Sequence, residues 1–480
     1  MMSEHGGCEY GNLLEQRPPT KSLRAKLATF LASITVEPAM FLHGLGSSIE
    51  SIFYTNLCVD KVCLNYYKYG KDVCGNLDSG SYESQQDAVQ RMVSTFEVYK
   101  HWVEYMPAIF VVLFLGIYSD TRGRRLPILL PFCGSLIKAL FLVANSYWWS
   151  WPLPMLIVSF FPYGISGGMI GSLAGAYSYV SDASVDKSRT TRLAITGAMS
   201  LVAMSLGKVS GTFIYSKGGY IAIFSTQAIF YAASILYIIL RLKEHPSGCS
   251  PETMDSRKEL KQRLLSITTV KRTLMVVFKR REAGGRGFII GHIAAICSRV
   301  FTAGSLQMFF LYMRKRFDWN YYTYNMYSIL TIPVLFIGNF ILLPVLSYRF
   351  KVKDAMLGFI GGISSLFHNV MLGTAPYAWI VYLASAVSLC SFMSILSSRG
   401  ALSKLVAKDE LGSTFAVLAL GETLIPLVST PVYTLIYNNT LDIFPGAIFL
   451  LTSGFDIACC CIYVWMLTRE VPLSGYTAIA

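Results

Sequence analysis

The sequence predicts an all-α membrane protein, with twelve transmembrane helices in two six-helix bundles. Three observations carry this expectation. The 480 residues are 53% hydrophobic and only 14% charged, with a mean hydropathy of +0.48, whereas a soluble globular chain carries about a quarter charged residues. Apolar windows of about 20 residues recur along the chain, the length a helix needs to cross hydrocarbon while satisfying its own backbone hydrogen bonds. One long polar stretch, 242–286, divides these windows six and six.

In order, the first six windows lie near 36–55, 101–119, 126–147, 152–178, 193–215 and 219–241. The second six lie near 287–313, 323–346, 355–373, 376–398, 411–436 and 443–467. The expected organisation is therefore a tail (1–35), a first bundle (36–241), a basic linker (242–286), a second bundle (287–467) and a second tail (468–480). Glu37, His43 and Glu50 dilute the first window, yet Glu37 and Pro38 suit the first turn of a helix. The first 26 residues are polar and lack the apolar core of a removable signal peptide, so the first span is expected to direct insertion. Pro246, Ser247, Gly248 and Pro251 open the linker, and many Lys and Arg follow.

Charge sets the expected orientation. Arg17, Lys21, Arg24 and Lys26, then Arg122–Arg125, Lys187–Arg192, the linker, Arg349–Lys353 and Arg399–Lys408 all fall on one side. Short loops rich in Lys and Arg stay in the cytosol, so both tails are expected there. The net charge of +13 is largely this bias and not a nucleic-acid footprint. Arg314–Arg316 falls on the opposite side without a topological reason; one reading is a rim that draws anions to the outer mouth. Segment 56–100 is expected to be the large outside loop, with Cys58, Cys63 and Cys74 in an oxidising compartment. Spacing favours Cys63 with Cys74, although three cysteines leave the pairing open. Cys459–Cys461 reads as small apolar packing before metal or palmitate. Asn438, Asn439 and Thr440 form a glycosylation sequon in the last outside loop, consistent with that topology.

Between the second and third windows stands GIYSDTRGRR, Gly116 to Arg125. Glycines at 116 and 123 permit close helix contact and a tight reversal, and Asp120 and Arg124 can pair with each other or with helix ends. A positive-inside loop would need only the arginines. Gly116, Asp120, Gly123, Arg124 and Arg125 match the signature G-x-x-x-D-x-x-G-R-R, and here the sequence resembles the major facilitator superfamily. The resemblance covers nearly the whole chain, because two sets of six spans around a central cytosolic loop is that family's layout. It implies that Asp120 acts as a latch against the start of the eleventh helix, at Asp409–Ser413, where the helix dipole attracts an anion. The corresponding turn in the second half, Ser347–Asp354, is basic but lacks the glycines and the aligned aspartate.

A narrower resemblance joins the Glu37-Pro38 opening, Ser181 with Asp182, Ser188 to Thr190, and the run Arg399 to Val406. These look like solute carrier family 46, the proton-coupled folate transporter family. Membership would imply uptake or lysosomal export of organic anions such as folates, conjugated metabolites or bacterial cell-wall fragments, often driven by protons. Three positions depart from the folate branch: its coupling glutamate falls at Gly197, its span-four aspartate at Gly168 and its span-seven histidine at Thr302. Arg399 matches. These departures argue against folate itself and against the usual proton route.

Ionisable groups deep in a membrane cost about 2.5–3.5 kcal/mol or more and persist where they face a cavity or a partner. Those deep in windows are Glu50, Lys138, Lys208, Arg299, His368, Glu422 and Asp456. In the superfamily layout helices three, six, nine and twelve are peripheral, which sets aside Lys138, His368 and Asp456. The candidate substrate-binding residues are thus Lys208, Arg299, Arg399, Glu50 and Glu422. Two cations near mid-depth in opposite halves, Lys208 and Arg299, would suit a carboxylate or phosphate. The competing reading pairs each with Glu50 or Glu422 as interhelical glue, and positive-inside bias alone also explains Arg399. His43 and His292 could shuttle protons, yet a lone helix histidine is more often structural. In span four Gly167, Gly171 and Gly175 repeat at every fourth position, which allows close helix packing. Gly164 to Gly168 also spells the hydrolase elbow G-x-S-x-G, discounted because that motif needs a strand-turn-helix context. Tyr321, Tyr322, Tyr324 and Tyr327 read as an interfacial belt before substrate stacking.

No phosphate loop, H-E-x-x-H or zinc-spaced C-x-x-C occurs, so no enzyme and no cofactor beyond a proton gradient is expected. Expected partners are the lipid bilayer, a small organic anion, and sorting adaptors at the tails. Leu13 and Leu14 follow Glu9 as in an acidic dileucine signal, and Tyr476 with Ile479 resembles a lysosomal tyrosine signal. Together they balance endosome or lysosome against plasma membrane. The sequence supports a transporter first and a non-transporting membrane sensor or chaperone second. Deep charge separates the two, since a scaffold has no evident use for it.

Overall fold

The computed structural model describes residues 35–77, 81–182, 186–243, 279, 285–406 and 411–469. Within them the chain forms helices throughout, and twelve rods follow the expected order. In the first half they are α1 (Glu37–Lys61), α2 (Glu83–Arg122), α3 (Arg125–Tyr147), α4 (154–182), α5 (186–218) and α6 (220–241). In the second half they are α7 (Gly285–Phe317), α8 (321–349), α9 (Asp354–Thr374), α10 (Ala378–Leu405), α11 (Leu411–Thr440) and α12 (Ala447–Thr468). Among the described residues seven helices are long and apolar enough to cross a membrane by composition alone.

Glycine decides where several rods end. Gly219, at φ +60°, reverses the chain between α5 and α6, and Gly123, at φ +129°, ends α2 so that Arg125 can start α3. Side chains disfavour this backbone region sterically, and glycine does not. α4 is interrupted at Gly167 and Gly168, at φ +99° and +55°. Gly167 therefore marks a break in the rod, while Gly171 and Gly175 lie against Pro131 and Ile128 of α3 as a small-residue contact requires. α10 is interrupted in the matching place by a tight turn at Ser388–Cys390. There Gly338 of the widened segment Ile337–Leu342 in α8 presses on the Leu389 carbonyl.

Segment 56–100 is largely helical where a loop was expected. α1 runs on to Lys61 and continues as a wider turn over Val62–Tyr66, a short helix covers Lys71–Gly75, and α2 begins at Glu83. Cys63 and Cys74 are joined in a disulfide with Cα atoms 5.8 Å apart, and Cys58 is a buried free thiol. The early turns of α2 bury Val89, Val93 and Phe96 at spacings of three and four on one helix face. A window scored for hydrocarbon misses such a helix because its other face is polar.

The two ends of the molecule differ in how the bundles meet. At the end carrying the disulfide, one buried apolar core runs through both halves, from Ile49, Phe53 and Leu57 to Met308, Phe309, Tyr433 and Tyr437. At the opposite, basic end the cores are separate. Val36, Met40, Ile128, Phe132, Tyr179 and Ile238 cluster within the first bundle. Ile289, Ile296, Leu402 and Leu418, and Phe288, Tyr463 and Met466, cluster within the second.

Candidate functional site

Polar contacts reinforce the shared core at the disulfide end. Lys315 of α7 bonds Glu83 at 3.0 Å and Asp87 at 2.6 Å, both on α2. Arg91 of α2 pairs with Asp442 just beyond α11, Tyr437 donates to Gln90 at 2.7 Å, and Ser94 donates to Asn438 at 2.6 Å. Deeper in, Trp102 of α2 donates to the Leu427 carbonyl of α11 at 3.2 Å, and Tyr215 of α5 packs edge-on against Tyr321 of α8, 4.7 Å apart. These contacts account for the basic run Arg314–Arg316: the acidic start of α2 holds Lys315, the Ala375 carbonyl holds Arg316, and Arg314 is buried. Burial pushes the Asp87 carboxyl above its ordinary range, with Lys315 pulling it down and Asp442 pushing it up. Asn438 sits in the last turn of α11 with its side-chain carbonyl facing α2, so a glycan there would have to leave the Ser94 bond in place.

Inside the first bundle, α1, α2, α3, α4 and α6 enclose a cluster of charge and aromatic rings. Glu50 of α1 and Lys138 of α3 form an ion pair at 2.6 Å, 8% and 5% exposed. Gln227 of α6 donates to Glu50, and the Lys138 ammonium lies 4.3 Å from the Tyr163 ring centre and 5.2 Å from that of Phe160. On α2, Glu97 pairs with Lys100 and accepts from Thr55 at 2.9 Å. The Lys100 ammonium lies 4.8 Å from the Tyr54 ring centre. One turn deeper stands Glu104, within electrostatic reach of Lys138 and Lys100 but with no hydrogen-bonded or ion-paired partner among the described residues. His101 beside it buries both ring nitrogens without a hydrogen bond.

Arg299 of α7 bonds Asp456 of α12 and donates to Ser365 of α9, and Asn369 completes the group by donating to Asp456 at 2.8 Å. Arg399 of α10 pairs with Glu422 of α11, and this pair is the open one, with 43% and 27% exposure. Lys208 lies on α5 about 10 Å along the helix from Tyr215. It is half-buried and has no carboxylate partner among the described residues. Gly207 and Gly211 on the same helix lie against Ser48 and Phe53 of α1.

Of the five candidate substrate residues, the structure brings only Arg399 and Glu422 together. Glu50 and Arg299 find the partners that peripheral placement had set aside, Lys138 and Asp456, and Lys208 stands apart. Glu97, Lys100, His101 and Glu104 were overlooked, although their spacing of three and four on one helix face was available as a signal. Of the expected latch, Gly123 is buried at the end of α2 and Arg125 donates to the Ile239 carbonyl of α6. Gly116 lies within α2. The Asp120 side chain, residues 407–410, and the tail residues Leu13, Leu14, Tyr476 and Ile479 lie outside the described residues.

The family model described as Major Facilitator Superfamily matches residues 103–474. The chain belongs to the major facilitator superfamily. It is a membrane transporter of that superfamily and not an enzyme, and its similarity to solute carrier family 46 runs through nearly its whole length. It is 27% identical over 449 residues, 90% of this chain and 94% of the relative, to the chicken (Gallus gallus) lysosomal proton-coupled steroid conjugate and bile acid symporter SLC46A3. It is 24% identical to the probable peptidoglycan muropeptide transporter SLC46 of Drosophila melanogaster, covering 88% of this chain and 83% of that one. Among solved structures, a D-xylose-proton symporter superposes with a TM-score of 0.66 at 13% identity, covering 93% and 99% of the two chains. The human organic anion transporter MFSD10 gives 0.62 at 14%, covering 89% and 97%. Both likenesses show the fold.

Proposed function

We propose that this superfamily member is a proton-coupled carrier of a small organic anion, working by alternating access with its basic face towards the cytosol. Lys208 carries this reading: a cation held at mid-depth without a carboxylate partner, on one of the helices that meets the other bundle, is a charge awaiting an anion. Arg399 is the second contact. As substrate enters, its carboxylate, sulfate or phosphate competes with Glu422 for the guanidinium, which can grip an oxyanion through two parallel bonds. Arg299 is committed to Asp456 and holds the second bundle together. The undivided core at the disulfide end and the divided cores at the basic end suit a carrier sealed to the outside and parted towards the cytosol.

In this reading Glu104 is the proton acceptor. Glu50, Glu97 and Glu104 face Lys100 and Lys138, so one carboxylate is left without a cation, and a proton can balance it. This would supply coupling where Gly197 and Thr302 replace the folate branch's residues. The names of the relatives, which include lysosomal proton-coupled symporters, favour an acidic compartment whose lumen meets the disulfide face, with the tail signals read by sorting adaptors.

Uptake of steroid sulfates, bile acids and muropeptides into vesicles carrying the purified protein, at pH 5.5 and 7.4, tests the proposal. Flux of at least one anion should be faster with acid on the disulfide side and should fall at least tenfold in Lys208→Gln and Arg399→Gln. Glu104→Gln should keep binding while losing the pH dependence. Absence of flux for every anion from a well-folded protein would instead favour a membrane sensor on a transporter fold.

A further inference from the structure

A cavity of about 640 Å³ opens at the basic end of the second bundle, and none of the charged residues assigned to transport lines it. This lies within the 300–1,000 Å³ of small-molecule sites. Its walls come from Phe288 and His292 of α7, the 351–353 turn, the start of α9 at Asp354, Lys404 of α10 and Arg469 after α12. Four of the lining residues are cations, Lys351, Lys353, Lys404 and Arg469, against one carboxylate, Asp354, which Lys404 binds at 2.8 Å. Positive-inside bias explains lysines on this face. It does not explain why helices converge to leave a chamber between them, nor why the apolar Phe288, Leu405 and Met466 form part of its lining.

The parts are placed for an anion with a hydrocarbon stem. Lys351 adopts a left-handed backbone, φ +50°, which reverses the chain after α8 and brings Lys351 and Lys353 to the same mouth. Arg469 stacks on Trp465, 5.3 Å from the ring centre, so its guanidinium is oriented rather than free to sweep solvent. His292 is 3% exposed and faces the chamber from within, with Nδ1 engaged by Ser398 at 3.1 Å. Ser398 in turn contacts Tyr463 at 2.8 Å, and Tyr463 donates to the Ser394 carbonyl, so the deep wall of the chamber is fixed by hydrogen bonds.

We propose that this chamber binds a phosphate-bearing anion, with a phosphorylated lipid headgroup of the adjoining leaflet as its source. Basic pockets between helix ends on a membrane's cytosolic side suit such headgroups. α7, α9, α10 and α12 all end here, so an occupant would tie together the ends of helices that must move as one body during transport.

Native mass spectrometry of the full-length protein, released from vesicles of phosphatidylcholine with 5% phosphatidylinositol bisphosphate, tests this directly. The expected result is one bisphosphate lipid retained per chain, at least tenfold over unphosphorylated phosphatidylinositol. Retention should fall at least tenfold in Lys351→Gln/Lys353→Gln/Arg469→Gln. Arg241→Gln/Lys243→Gln, on the same face of the other bundle, should leave it unchanged and so excludes loss of bulk charge as the cause. Soluble inositol trisphosphate and inorganic phosphate form a second arm. Competition by either at micromolar concentration, with the same loss in the triple variant, would support the site and overturn the lipid as its source. Equal retention of phosphorylated and unphosphorylated lipid, or a triple variant that retains lipid like the parent with an unchanged melting temperature, would overturn the proposal.

Discussion

The Glu50–Lys138 pair offers the most demanding quantitative test. Removing one member of a buried ion pair typically costs about 3–5 kcal/mol, because the survivor is left charged and unpaired. The surroundings make the two removals unequal. Glu50→Gln leaves Lys138 within reach of Glu104 and 4.3 Å from the Tyr163 ring centre, so its cost should lie near the lower limit. Lys138→Met leaves Glu50 and Glu104 facing each other, with Lys100 already bound to Glu97, and its cost should lie near the upper one. A bundle of about 200 residues loses about 2–4 °C per kcal/mol, so purified Lys138→Met should melt about 10 °C or more below the parent. The double variant Glu50→Gln/Lys138→Met removes both charges and should recover to within about 1–2 kcal/mol of the parent. Thermal unfolding in detergent, followed by tryptophan fluorescence, reads all three. If Lys138→Met melts within about 2 °C of the parent, or the double variant melts as low as Lys138→Met, the buried cluster is not organised around this pair.

Other expectations follow from single positions. Asp87 holds a proton more tightly in the sealed outer face than an exposed aspartate would, so acid stabilises the seal and the gain fades as pH rises through that raised value. The distance between spin labels placed on the outer ends of α2 and α11 should therefore report less opening at the acid end of a pH series than at its alkaline end, and Asp87→Asn should flatten that dependence. Lys61 is fully buried without a hydrogen bond, and burial lowers its ammonium to about 8. That cost is full below pH 8 and fades towards the ordinary lysine value of about 10.4, so Lys61→Met should raise the melting temperature at pH 7 and lose its advantage by pH 10. A methyl group at Gly338 would overlap the Leu389 carbonyl, so Gly338→Ala should lower expression and melting temperature as overpacking does. Asp120→Asn should weaken uptake while leaving surface expression near normal; unchanged uptake would remove Asp120 from the latch.

The sequence by itself determined the class and the number of rods, because hydrocarbon forces every span to be a helix of fixed length and so leaves an unmistakable composition. It also pointed to the reversal at Gly123, since a chain that turns with positive φ needs glycine there, whereas the reversal at Gly219 was visible only in the structure. It did not determine which charges meet. Lys138 joins Glu50, and Asp456 joins Arg299, because helices that are distant in sequence and assigned to the periphery press their polar faces inward. Nor did it reveal the helical start of α2, whose apolar stripe is buried in the shared core and whose polar face, which reads as a loop, bonds the second bundle. Hydropathy depends on a residue and its near neighbours along the chain. An ion pair depends on where two helices cross, and only tertiary packing fixes that.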